Sequence, residues 1–427
     1  MNIIYMHTHD TGRYISPYGV AAPTPNLMKF AREGVLFRNA FCAGPTCSPS
    51  RAALLTGMTP HSAGMIGLAH RGFQMEDYSR HLTQFLNGNG YETVLCGIQH
   101  EAPQAEMIGY SKIIGDQNFD MKVFEFDSVN WDTNNARAAA DFIKDRENKE
   151  QPFFLSFGMF NTHLNFPDAA VDINPDYLDV PYPLHDNAQA RSFMAQYMTS
   201  VRTADTCVGF VLDAVAQAGI EEETLIIFTT DHGLPFPRMK CTLYDTGIGV
   251  SLIMRLPSGL AGGEVVDAMV SHLDLFPTIC DLAGMNKPDW LQGQSLLPIL
   301  NKQTDRVRDE LFAEVTYHAG YEPMRCIRTE RYKLIRYYDT HDRYVHVNMD
   351  QSPLKSFVEE NGFFEMDRPR ELLFDLYMDP LEKVNLYGRE EIGGIQNELD
   401  QGLRKWMEQT HDPLLKGQVP KPDSATV

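Results

Sequence analysis

Cys47 opens the run Cys-Ser-Pro-Ser-Arg-Ala-Ala-Leu-Leu-Thr-Gly (47–57), a thiol set before two hydroxyls, a proline and an arginine. Structural cysteines behave as small hydrophobes inside apolar runs, so this setting reads as a reactive group at an anion site. Pro49 suits a first helical turn. A helix beginning at Cys47 turns unpaired N–H groups and the positive end of its dipole toward residue 47, an effect of roughly 0.3–1 kcal/mol per charge. Arg51 follows one turn later on the same face, within reach of an oxygen carried at residue 47. Three more polar clusters hold chemistry-bearing side chains: His-Thr-His-Asp (7–10), Gly-Ile-Gln-His (97–100) and Thr-Thr-Asp-His-Gly (229–233), joined by Asn161-Thr162-His163 and Lys240. His9, Asp10, Asp231 and His232 bring two imidazoles and two carboxylates to these clusters. His7 and His9 alternate along an extended segment and face opposite sides, so only one of them is expected to be a ligand. A buried free thiol at Cys47 and a histidine at position 9 that supports a ligand instead of binding are the alternatives.

These clusters must be carried by elements that bring them together. Asn-Ile-Ile-Tyr-Met (2–6) is a β-branched run that gives way at once to polar residues, as a central strand does when it delivers side chains to the carboxyl edge of an α/β sheet. Helix and strand patterns then alternate: a helix over 24–34, a strand over 35–43, a helix from Ser48, a helix and strand over 82–97, a strand over 152–160, a long amphipathic helix from Ala190 to Gly219 and a strand over 224–230. Beyond Leu300 the texture changes. Residues 325–338 alternate like an exposed antiparallel strand, and residues 392–413 read as a helix. The expectation is an α/β domain over 1–315, a large mixed sheet sandwiched by helices, and a smaller C-terminal α+β domain over 316–427 with an antiparallel sheet and a terminal helix.

The chain has 427 residues, 43% of them hydrophobic, enough for a sizeable core. Asp and Glu number 57 against 37 Lys and Arg, a net charge of −20 that argues against nucleic acid or an anionic membrane as partner. An anionic substrate must therefore meet a local basic pocket. Seven cysteines without Cys-x-x-Cys pairing, no signal-type opening and no Asn-x-Ser/Thr sequon lead to an expected cytoplasmic location.

Cys-x-Pro-Ser-Arg followed by an apolar helix and Leu-Thr-Gly resembles the signature of the type I sulfatases of the alkaline phosphatase superfamily, and Cys47, Pro49, Ser50, Arg51, Leu55, Thr56 and Gly57 match it. The resemblance runs over most of the chain. Residues 225–247 and 374–386 are similar to the N-sulfoglucosamine sulfohydrolase (heparan N-sulfatase) branch in particular. In that family the cysteine is converted to Cα-formylglycine, whose hydrated form attacks sulfur with one oxygen and expels sulfate with the other. The resemblance implies an alkaline phosphatase-like fold, one divalent metal ion (Ca, Mn, Zn or Fe) held by His9, Asp10, Asp231 and His232, and a formylglycine-generating maturation enzyme as partner. It also implies roles: Arg51 and His100 orient residue 47, Lys240 binds sulfate, and His163 protonates the leaving group with a pKa near neutrality.

Two departures stand out. His9 occupies the place of a metal-binding aspartate, and Ile98 replaces a sulfate-binding lysine, for which Gln99, Arg13 or Arg71 could stand in. The expected function is hydrolysis of a sulfate ester or sulfamate on a small sulfated amino sugar. The alternatives are a phosphate or phosphonate monoester hydrolase on the same scaffold, which the histidines in the metal shell favour, and a non-catalytic binder of sulfated saccharides, which the loss at Ile98 favours.

Overall fold

The computed structural model describes residues 1–117, 127–146 and 150–427. Strand β1 (Asn2–Thr8) lies within a nine-stranded mixed sheet. Its neighbours β5 (Phe153–Gly158) and β6 (Thr224–Thr230) run parallel to it, with Ile3 opposite Phe154 and Met6 opposite Phe228. The sheet continues through β3 (Glu92–Gly97) and β4 (Lys112–Ile114) on one side. On the other side lie β8 (Leu252–Arg255), β2 (Val35–Phe41), the short β7 (Gly249–Val250) and β9 (Glu264–Ser271).

Helices cover both faces, which explains why β1 is apolar from Ile3 to Met6: successive side chains enter different layers. Ile3 and Tyr5 join one core with Leu54, Leu55 and Phe276, whereas Ile4 and Met6 join the other with Ala139, Val201 and Val208. The long helix Ala188–Ala218 starts on an Asn187 cap and stops at Gly219 in the left-handed conformation.

The second sheet is antiparallel, in the order β10 (Glu310–Tyr317), β11 (Tyr321–Thr329), β12 (Tyr332–Tyr337) and β13 (Glu371–Asp375). One face shares the first core through Val315, Met324, Cys326 and Ile335. The other face carries helix Gly393–Gln409 on Ile327, Leu334 and Leu373. The expected boundary at residue 315 falls inside β10.

The exposed strand expected over 325–338 is instead a buried hairpin of β11 and β12. Arg325 and Lys333 lie on opposite faces of this hairpin and have no exposure, because each meets a carboxylate on its own side, Asp412 for Arg325 and Asp245 for Lys333. No helix among the described residues is long and apolar enough to cross a membrane.

Candidate active site

Five strands deliver the polar clusters to one edge of the large sheet. His9 and Asp10 follow β1, Asp231 and His232 follow β6, His163 follows β5, His100 follows β3, and Cys47 begins helix Cys47–Thr56 a few residues after β2. Strands β3 and β5 run parallel and approach closely at their ends, Gly97 opposite Gly158. Gly97 sits at φ +76°, and a Cβ there would lie 2.1 Å from the Gly158 carbonyl oxygen. The close approach lets the His100 and His163 segments converge on the same point.

Asp231 organises the centre. Its Oδ1 accepts the N–H groups of Asp10 at 2.8 Å and His232 at 2.9 Å. Its Oδ2 meets Arg51 at 3.0 Å, His9 Nδ1 at 3.3 Å and His232 Nε2 at 3.6 Å. Burial works against the Asp231 charge, but the Arg51 guanidinium against its Oδ2 helps hold its carboxyl well below the usual range. His232 donates from Nδ1 to the Gly233 carbonyl at 3.0 Å, which leaves Nε2 as a lone pair. That nitrogen lies 3.3 Å from Asp10 Oδ1 and 3.5 Å from Cys47 Sγ.

Donor atoms of His9, Asp10, Cys47 and Asp231 lie within 4.8 Å of one another. Asp10 Oδ1 and both ring nitrogens of His9 are buried without a hydrogen-bond partner. Buried polar atoms are rarely left so, and a cation shared among them would satisfy all three. His9, Asp10 and Asp231 therefore fit a divalent ion with mixed nitrogen and oxygen ligands, whereas His232, expected as a fourth ligand, approaches Asp10 and Asp231 but stands outside this close group. His7 turns away: it bonds to Arg51 and stacks on Tyr5 at 4.6 Å.

Cys47 is 2% exposed, and burial pushes its thiol well above the ordinary value, so the unmodified side chain is a weak nucleophile. Arg51 donates to Asp231, to the Thr8 carbonyl at 2.9 Å and to His7. Its guanidinium thus braces the carboxylate beside residue 47.

His100 shares a hydrogen bond with His70 at 2.9 Å, and its ring lies 5.8 Å from that of His9. His163 meets the His9 ring edge-on at 5.4 Å and donates from Nδ1 to the Leu164 carbonyl. The near-neutral pKa expected of His163 is not what its surroundings give. Burial and the neighbouring Lys240 push it down to about 4, so the ring is neutral at pH 7 until an anion arrives.

Lys240 bridges Asp10 at 3.1 Å and Asp350 at 2.8 Å. Although burial opposes its charge, these carboxylates hold it well above the usual lysine range.

A cavity of about 760 Å³ opens over Cys47, lined by His100, His163 and Lys240 and also by His70, Arg71, His318, Asp350 and Lys355. The last three come from the second sheet's connections and carry no mark in the sequence, since no strand end or spaced motif announces them. Asp350 is identifiable only through its pairing with Lys240 and its approach to His318 at 3.7 Å.

The structure also ranks the substitutes for the lysine absent at Ile98. Ile98 packs with Trp131 and Phe160. Gln99 caps the backbone of Glu101 and Ala102. Arg13 binds the Ala40 carbonyl and lies over Phe41. Arg71 alone of the three lines the cavity.

A sulfatase family model matches residues 2–285, and a model of the N-sulphoglucosamine sulphohydrolase C-terminal region matches residues 232–366. N-sulphoglucosamine sulphohydrolase of Homo sapiens is 28% identical over 96% of this chain and 91% of its own length. An ulvan-active sulfatase of Formosa agariphila is 26% identical over 95% of this chain and 74% of its own. Among solved structures, a sulfatase of glycosaminoglycan metabolism in Bacteroides thetaiotaomicron superposes with a TM-score of 0.75 at 21% identity, covering 98% of this chain and 99% of its own, a likeness of fold.

Proposed function

The chain belongs to the sulfatase family and is a sulfuric ester hydrolase, and from that premise we propose that it removes sulfate, as an O-ester or a sulfamate, from a small sulfated amino sugar. The observation that carries this reading is the meeting of Cys47, the buried His9/Asp10/Asp231 donor set and Lys240 at the floor of one cavity. The similarity to N-sulphoglucosamine sulphohydrolase supports an amino sugar as substrate. The net charge of −20 favours a short saccharide over a long polyanion.

Conversion of Cys47 to formylglycine would supply the oxygen nucleophile that the buried thiol does not, and His9, Asp10 and Asp231, with His232 beside them, would hold a divalent ion that would lend positive charge to a sulfate. Arg51 keeps Asp231 ionised and oriented. Lys240, already desolvated and held between two carboxylates, presents a fixed ammonium to a sulfate oxygen without further ordering. His163 is placed beside this centre, and the negative charge of a bound sulfate favours its protonated form, the form that can donate to a leaving oxygen or nitrogen. His100, tied to His70, holds the opposite wall.

Because Cys47 is buried in the fold, the maturation enzyme that converts it must act on the unfolded chain. Seven unpaired cysteines suit a reducing, cytoplasmic location.

Mass spectrometry of the peptide containing Cys47, from protein made in its native host, is expected to show an aldehyde in place of the thiol. Cys47→Ala is expected to reduce turnover of sulfated amino sugars to background, assayed beside phosphate and phosphonate monoesters. Unmodified cysteine together with a preference for phosphorus esters would overturn the reading.

A further inference from the structure

Besides Lys240, the cavity is lined by two further cationic side chains. Lys240 is neutralised by Asp10 and Asp350, but Arg71 and Lys355 line the same cavity, and among the described residues neither forms an ion pair. Arg71 stands at the end of the turn Ala69–Arg71, with its Nε buried and without a hydrogen-bond partner. Lys355 belongs to helix Pro353–Glu360, is 5% exposed, and among the described residues its ammonium donates only to the neutral Met349 carbonyl, at 2.8 Å. His318, 4% exposed, adds an Nδ1 that is buried without a partner.

Lys355 is buried, with Glu359 and Asp350 acting on it only from beyond ion-pair distance, and Arg71 is half-buried with no ion pair among the described residues, so both cations stand to gain from an anionic ligand. They are also unusual in a chain with a net charge of −20. A volume of about 760 Å³ exceeds what one sulfate fills and suits a saccharide.

Resting on the sulfatase reading above, we propose that Arg71 and Lys355, with His318, form a subsite for a second anionic group on the substrate. The substrate class is then a saccharide bearing a further sulfate or a carboxylate besides the sulfate that is removed. Arginine offers a planar fork to either group, and the lysine adds a point charge.

The test compares kcat/KM for N-sulfated glucosamine, for N,6-O-disulfated glucosamine and for N-sulfated glucosamine linked to a uronic acid. Matured wild type, Arg71→Gln, Lys355→Gln, the double variant and the charge-preserving Lys355→Arg are assayed. Wild type is expected to favour one doubly charged sugar by at least tenfold, through KM. That advantage should vanish in the double variant, persist in Lys355→Arg and shrink with added salt. The disulfated and uronate arms tell sulfate from carboxylate.

Equal losses on singly and doubly charged sugars in the glutamine variants would overturn the proposal, since Arg71 would then serve the scissile sulfate. So would the absence of any preference in wild type. If no sulfated sugar is turned over, the hydrolytic reading fails, and calorimetric binding of disulfated glucosamine decides the subsite separately. A Kd at least tenfold weaker in the double variant supports it, and an unchanged Kd overturns it.

Discussion

His9 brings two ring nitrogens into a fully buried position where neither finds a hydrogen-bond partner, beside Asp10 and Asp231. Imidazole is a borderline donor that suits Zn²⁺, Mn²⁺ or Fe²⁺ and serves Ca²⁺ poorly, whereas a carboxylate at the same place would give a harder shell. His9→Asp is therefore expected to move metal preference toward Ca²⁺. Metal analysis of purified protein and reactivation of the stripped enzyme with each ion would read this as at least a tenfold fall in affinity for the transition ion. Unchanged metal content would show that His9 supports the site without binding. Cys47, Asp10, Asp231 and His232 were legible because each directly follows a strand or opens a helix. Asp350 and His318 were not, because they reach the cavity from connections of another sheet and acquire meaning only beside Lys240.

The β11–β12 hairpin shows why an alternating charge pattern can mislead. Alternation usually marks one wet face, but here both faces of the hairpin are covered and the charges on each meet carboxylates of the elements packed there. Lys333 binds Asp245 at 2.5 Å and Glu382 at 2.8 Å, and Arg328 meets Asp245 at 2.9 Å. Periodicity fixed the strands themselves, whereas the location of their partners is a tertiary fact that no local window contains. Lys333→Met fills similar space but leaves the buried Glu382 without its cation. Breaking a buried pair from one side costs about 3–5 kcal/mol, so urea unfolding should show a loss of that size. A loss below about 1 kcal/mol would mean that water or Arg328 compensates.

Over the whole molecule, the two sheets are joined by a second buried network. His61 of the large domain donates to Glu314 at 2.7 Å. Arg325 of β11 reaches Glu314 at 3.0 Å and Asp412, just beyond helix Gly393–Gln409, at 2.6 Å. This cluster ties the sheet edge, the hairpin and the terminal helix into one unit, so its ionisation bears on how the assembled protein responds to acid. Burial raises the Glu314 carboxyl, but Arg325 and His61 outweigh it and bring the value from 4.5 down to about 2. A group whose folded pKa lies below its unfolded one contributes stability that is complete above the unfolded value and is lost as pH falls through the folded one. The window therefore runs from about pH 4.5 to about pH 2. Within it the unfolded chain binds up to one more proton than the native state at this site, a slope of up to about 1.4 kcal/mol per pH unit. Glu314→Gln removes that titration while keeping an acceptor for His61. Urea unfolding at pH 5 and pH 3 should show the wild type losing more stability than the variant across this interval. The variant, with Arg325 relieved of one carboxylate, should be less stable than wild type at pH 5. Parallel losses in both proteins would place the acid sensitivity elsewhere, at the carboxylates beneath the cavity.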